Sequence, residues 1–151
     1  IHYPWRLSEK ITGRFFGFRH HYYIMQIFRM LAKNYFVDIA WPNPLAMREK
    51  IKFRLDLCQN TQQILFRARS QYELSWIQAA CKGLAQAECF FDIGANVGIF
   101  ATTIGQAMPH KQVIAVEALK DNFSILRNNI ETNHLAEAIQ YRSLDREGWA
   151  G

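Results

Sequence analysis

The 151-residue sequence is poor in the residues that mark several classes of protein. It has three cysteines, Cys58, Cys81 and Cys89, an odd number without a Cys-x-x-Cys pair. That pattern excludes a disulfide framework and a thiolate zinc site, and it fits a reducing, cytoplasmic compartment. The histidines lack ligand spacing: His20 and His21 are adjacent and would point to different faces of a helix, so no metal is expected. Four prolines and eight glycines exclude a collagen-like or low-complexity chain, and no repeat period is present. Long hydrophobic runs are missing too. The longest uncharged stretch, Ile93 to His110, contains Asn96, Thr102, Thr103, Gln106, Pro109 and three glycines, too polar for a spanning helix. Residues 1–15 carry charges throughout and show no secretory signal. The chain starts at Ile1 and not at Met, as a piece of a longer protein would.

Half of the chain is hydrophobic and 21% is charged, the balance of an ordinary folded domain. Its net charge of +5 is unevenly placed. Residues 1–70 hold 12 Lys and Arg against 4 Asp and Glu, whereas residues 71–151 hold 6 against 9. A basic first half suits nucleic acid, an anionic membrane surface or simply a solvated face.

Within residues 8–36, Tyr23, Ile24, Ile27, Phe28, Met30 and Leu31 recur at helical spacing, with Arg19, Arg29 and Lys33 among them. Trp41-Pro42-Asn43-Pro44 reads as a break, so residues 1–50 form a basic helical extension with a linker. Ile51, Phe53, Leu55 and Leu57 alternate with polar residues, predicting a half-buried strand. A turn at Gln59-Asn60-Thr61 and a returning strand at Ile64-Leu65-Phe66 would complete a hairpin. A helix is expected from Gln71 to about Leu84. Beyond it strands and helices alternate: a strand at 89–92, a helix at 97–108, a strand at 113–117, a helix at 122–131 and a third strand at 138–144. Such alternation implies parallel pairing and the start of a doubly wound α/β sheet.

The chemistry concentrates at Asp92-Ile93-Gly94-Ala95-Asn96-Val97-Gly98, between a buried strand and a helix. Gly94 permits a tight turn, Gly98 lets the helix approach the sheet, and the helix N-terminus offers N–H groups to a carboxylate or phosphate. The dinucleotide fingerprint needs glycines where Asn96 and Ile99 stand, and an acidic residue before the loop repels phosphate, which disfavours a nicotinamide cofactor. S-adenosylmethionine suits the turn better, with Asp92 near its ammonium group and Glu117, at the next strand end, accepting from the ribose hydroxyls. Ala118 and Leu119 would flank the adenine. Asn128 and Asn129 read as surface and cap positions of the following helix.

Phe91-Asp92-Ile93-Gly94-Ala95-Asn96-Val97-Gly98, Ile114-Ala115-Val116-Glu117, and Asn122-Phe123 with Leu126, Asn129-Ile130 and Asn133 together resemble the class I S-adenosylmethionine-dependent methyltransferases, within them the FkbM-type family. Gln71-Tyr72-Glu73 and Ser143-Leu144-Asp145 extend the resemblance, which spans roughly residues 50–148; Ala118 stands where the family often has proline. The resemblance implies a Rossmann-like sheet of order 3-2-1-4-5-7-6, here truncated after the third strand, so that residues 51–151 form the N-terminal part of the methyltransferase domain. It implies cofactor contacts from Asp92, Gly94, Ala95, Asn96, Gly98, Glu117, Ala118, Glu73 and Leu144. It also implies O-methyl transfer to a small hydroxylated acceptor such as a sugar. No catalytic base is marked: His110, His134 and Asp145 lack a partner in the pattern. The uncovered edge of the first strand makes self-association an expectation. The alternative from another class is a non-catalytic module that binds nucleic acid or anionic membrane through Phe15, Phe16, Phe18, Tyr22 and Tyr23, interleaved with Arg14 and Arg19.

Overall fold

The computed structural model describes residues 34–45, 50–68 and 71–144. The basic helix expected before Phe36 lies outside them apart from its last residues, and Phe36 itself opens a strand. Strand β1 (Phe36–Pro42) pairs antiparallel with β2 (Lys50–Asp56), in a register running from Phe36 opposite Asp56 to Pro42 opposite Lys50. The alternation expected of β2 is present: Ile51, Phe53 and Leu55 are buried, while Lys50 and Lys52 are exposed.

The break expected at Trp41–Pro44 is corrected, because Pro42 is the last residue of β1. Pro42 faces Lys50, and the next residues of that parity on β2, Lys52 and Arg54, turn their N–H groups away from β1. A missing N–H at Pro42 therefore costs the ladder nothing. Asn43 is buried and docks the strand end: its Nδ2 donates to the Thr103 carbonyl at 3.2 Å and to Gln106 Oε1 at 2.8 Å. The turn expected at 59–61 comes slightly earlier, at 57–59, and the strand expected at 64–66 is corrected: it lies inside a helix, α1 (Asn60–Ala68), which buries Gln62 and Leu65. A three-residue apolar run cannot by itself distinguish strand from helix.

The free edge of β2 is occupied by side chains. Helix α4 (Lys120–Thr132) buries Ile125, Leu126, Asn129 and Ile130 and ends at its cap Asn133. Asn133 Oδ1 accepts from the Lys52 N–H at 2.9 Å, and its Nδ2 donates to the Lys52 carbonyl at 2.7 Å. Asn129 does the same to Arg54, at 2.7 and 3.2 Å. Four helical residues rise about 6 Å and two strand residues about 6.6 Å. Asparagines at i and i+4 can therefore serve strand residues at i and i+2, standing in for a neighbouring strand. Asn129 is thus not the surface or cap residue expected from sequence; it is fully buried.

The second sheet is parallel, in the order β3-β4-β5, with β3 at Cys89–Ile93, β4 at Gln112–Glu117 and β5 at Ile139–Ser143. Helix α2 (Leu74–Leu84) precedes it, α3 (Ile99–Ala107) joins β3 to β4, and α4 joins β4 to β5. This is the first–second–third strand arrangement of a doubly wound α/β sheet. Ile104, Leu126, Ile130, Val113 and Ile139 meet in the core with Ile51, Phe53 and Leu55 of the hairpin. Full burial of each such large side chain contributes about 2 to 3 kcal/mol. Gly105 permits the contact of α3 with β5, because a Cβ there would lie 2.7 Å from Ile139 Cδ1. The opposite sheet face leaves Phe91 and Ile93 exposed, at 61% and 70%.

Candidate functional site

Parallel strands bring their carboxyl ends to one side, and three chain turns meet there. After β3 the backbone enters the left-handed region at Gly94 (φ 78°), Asn96 (φ 52°) and Gly98 (φ 85°). The loop is held to β4: the Gly94 and Ala95 N–H groups both donate to the Val116 carbonyl, at 2.8 and 3.0 Å. A Cβ built on Gly94 would meet nothing within 4 Å, so that side of the turn is open.

Glu117, at the end of β4, is buried, and both its carboxylate oxygens accept from backbone. Oε2 takes the Asn96 N–H and Oε1 the Leu119 N–H, each at 2.7 Å. The Leu144 N–H donates to the Glu117 carbonyl at 3.1 Å, which draws the end of β5 to the same place. Each carboxylate oxygen keeps a second acceptor site. Beside it Ala118, Leu119 and Leu144 form an exposed, mostly apolar rim.

Asp92 is directed at the first turn of α3. Its Oδ2 accepts from the Ala101 N–H at 3.0 Å, so one of the N–H groups that the helix N-terminus was expected to offer a ligand is already taken by the protein's own carboxylate. Burial pushes the Asp92 carboxyl up from an ordinary 3.8 to about 6; the Ala101 N–H opposes the rise and the Glu117 charge adds to it. Two carboxylates at the ends of neighbouring strands favour a cation over a phosphate.

The Ala101 N–H would be the α-helical partner of the Val97 carbonyl, and with Asp92 holding it another donor serves that carbonyl. Asn129 Nδ2 fills the position, donating to Val97 O at 2.8 Å. Sequence reasoning passed over this contact; the Asn129/Asn133 spacing was its visible signal. Gly98 also differs from expectation. The close approach it permits is to α4, where Leu126 Cδ1 would lie 2.5 Å from a Cβ at Gly98, and not to the sheet.

Asp92, Gly94, Ala95, Asn96, Glu117, Ala118 and Leu144 therefore gather at the strand ends. Glu73 is exposed at the start of α2 with φ 47°, and its partner is the Tyr72 hydroxyl. The Tyr72 phenol is raised by burial and then by the Glu73 charge and hydrogen bond. Asn96 Oδ1 is buried without a hydrogen-bond partner. Among the described residues no group of three His, Cys, Asp or Glu could hold a metal, and no helix is long and apolar enough to cross a membrane. Asp145 and the aromatic and basic residues before Asn34 lie outside the described residues.

No protein-family model and no curated protein matches the chain. Among solved structures it is similar to a Klebsiella pneumoniae protein provisionally named an O-methyltransferase, at 18% identity and TM-score 0.41 over 46% of this chain and 33% of that one. It is similar to the N-terminal domain of human METTL16 in complex with SAH, at 16% identity and TM-score 0.39 over 50% and 30%. It is also similar to a provisionally named transferase from Pyrococcus horikoshii, at 18% identity and TM-score 0.39 over 67% and 36%. The chain spans about a third of the length of each of these proteins. None of the three bears an FkbM-type name.

Proposed function

We propose that this chain carries the cofactor-binding half of an S-adenosylmethionine-dependent methyltransferase. The observation that supports it best is the open glycine turn set between two carboxylates, Asp92 and Glu117, at the ends of adjacent parallel strands. The donor set suits a zwitterionic amino acid joined to a nucleoside. Asp92 Oδ1 is left for an ammonium group, Asn96 Oδ1 is an unpartnered acceptor at the turn, and the spare acceptor sites of Glu117 suit ribose hydroxyls. Ala118, Leu119 and Leu144 offer apolar contact to a base. A dinucleotide fits less well, because Asp92 already occupies the helix end where a pyrophosphate would sit.

When bound, S-adenosylmethionine supplies an electrophilic methyl group on a sulfonium. The chain's own part is to orient and to exclude alternatives, since in-line displacement depends chiefly on positioning. A small hydroxylated acceptor such as a sugar, and a cytoplasmic setting, complete the proposal; both rest on the sequence resemblance and composition. No residue of the described chain is assigned as the base.

Calorimetric titration with S-adenosylhomocysteine and, separately, NADH tests the cofactor class. Binding of the first alone is expected, and binding of NADH alone would overturn the proposal. Glu117→Ala should then weaken S-adenosylhomocysteine by about tenfold or more, the loss of at least one charge-assisted hydrogen bond. Glu131→Ala, on the exposed side of α4, is the comparison, and equal losses would remove Glu117 from the site.

A further inference from the structure

We propose that Asn129 is a positioning residue for the glycine loop, through which the β1–β2 hairpin governs the shape of the cofactor site. Only its consequence for affinity rests on the methyltransferase reading. The loop is gripped on two sides. On the sheet side the Val116 carbonyl and the Glu117 carboxylate hold the Gly94, Ala95 and Asn96 N–H groups. On the other side Asn129 Nδ2 holds the Val97 carbonyl, while the rest of the same amide is committed to Arg54 N–H and C=O of β2. One fully buried amide thus joins three elements: α4, the middle of β2, and the peptide between the left-handed residues Asn96 and Gly98.

Because that amide has one orientation that satisfies all three hydrogen bonds, a shift of β2 rotates it and moves the Val97 carbonyl. The Asn96–Val97–Gly98 backbone must follow, and with it the Asn96 N–H on Glu117. Asn133 provides an internal control. It clamps β2 in the same manner one turn further along, at Lys52, and its remaining hydrogen bond goes to the Asn129 carbonyl, not to the loop.

The experiment compares Asn129→Ser with Asn133→Ser. Amide exchange of Gly94, Ala95, Asn96 and Gly98, measured without ligand, should accelerate by about tenfold in Asn129→Ser, as for a lost hydrogen bond worth one factor of ten, and stay within about twofold in Asn133→Ser. S-adenosylhomocysteine affinity should fall in the same ratio. Equal loop exchange in the two variants would overturn the proposal. A wild-type chain that binds no S-adenosylhomocysteine overturns the cofactor reading instead, and the exchange comparison still decides the role of Asn129. If Asn129→Ser does not fold, native-state exchange of the wild-type chain in low denaturant decides. The loop amides and the Lys52 and Arg54 amides should then open together as one unit, and independent opening would overturn the proposal.

Discussion

Replacing Asp92 with asparagine should stabilise the protein at neutral pH, although it removes a side chain placed at the centre of the site. The carboxyl is raised from 3.8 to about 6, so the folded state holds its proton more tightly than the unfolded chain does. The stability that this protonated group contributes is present below about pH 4 and is lost as pH climbs through about 6, the reverse of a salt-bridged acid. The full rise corresponds to about 3 kcal/mol. Asparagine is neutral like the protonated carboxyl and keeps an acceptor for the Ala101 N–H; the charge–dipole attraction it forgoes is already counted in the net rise. The net gain for Asp92→Asn is therefore about 3 kcal/mol at about pH 7.5, and the advantage over wild type should shrink by about 2 kcal/mol on going to about pH 4.5. For a domain of this size that change appears as a difference in melting temperature of roughly 4 to 8 °C between the two pH values. Paired denaturation curves of both chains across this range are the assay. Parallel pH dependences would show that burial and Glu117 do not strain Asp92 as described. The same substitution removes the charge offered to an ammonium group, so S-adenosylhomocysteine should bind more weakly as the protein becomes more stable.

Gly98→Ala adds a Cβ 2.5 Å from Leu126 Cδ1 at a φ of 85°, and urea titration should show a loss of about 2 to 4 kcal/mol, with Leu126→Ala in the same chain recovering the steric part only. Gly105→Ala should gain about 1 kcal/mol of helix propensity yet lose more to Ile139, whose atoms lie 2.7 and 2.9 Å from the new Cβ. Pairing it with Ile139→Ala should turn the alanine from destabilising to stabilising, which a double-mutant cycle measures.

Much of the fold was legible because its signals are local. The β3-loop-α3 unit follows from an apolar run, an acid, and glycines at the two turns that require positive φ, Gly94 and Gly98. The parallel order of β3, β4 and β5 follows from the alternation of strand and helix. The alternation from Ile51 to Leu55 marked β2 correctly, but its partner lay upstream at Phe36–Pro42 and not at Ile64–Phe66. The two prolines that read as a linker mark a strand end, and that depends on which way the N–H groups of the opposite strand point. Ile64-Leu65-Phe66 is apolar enough for either element, and with β1 and α4 on the two edges of β2 no edge remained for it.

The meeting of the glycine turn with Glu117 was legible in the chain, since a turn after one strand and an acid after the next must converge when the strands are parallel neighbours. Tertiary structure alone decided what each group does there. Asp92 turns to the α3 N-terminus because Ala101 presents an unsatisfied N–H, and burial then raises its proton affinity. Asn129 leaves the surface for the core because β2 has an open edge and Val97 a carbonyl that its own helix does not satisfy. Hydrogen-bond vacancies of this kind belong to the assembled elements and not to any one of them. They appear only once strand, loop and helix are packed together and water can no longer fill them.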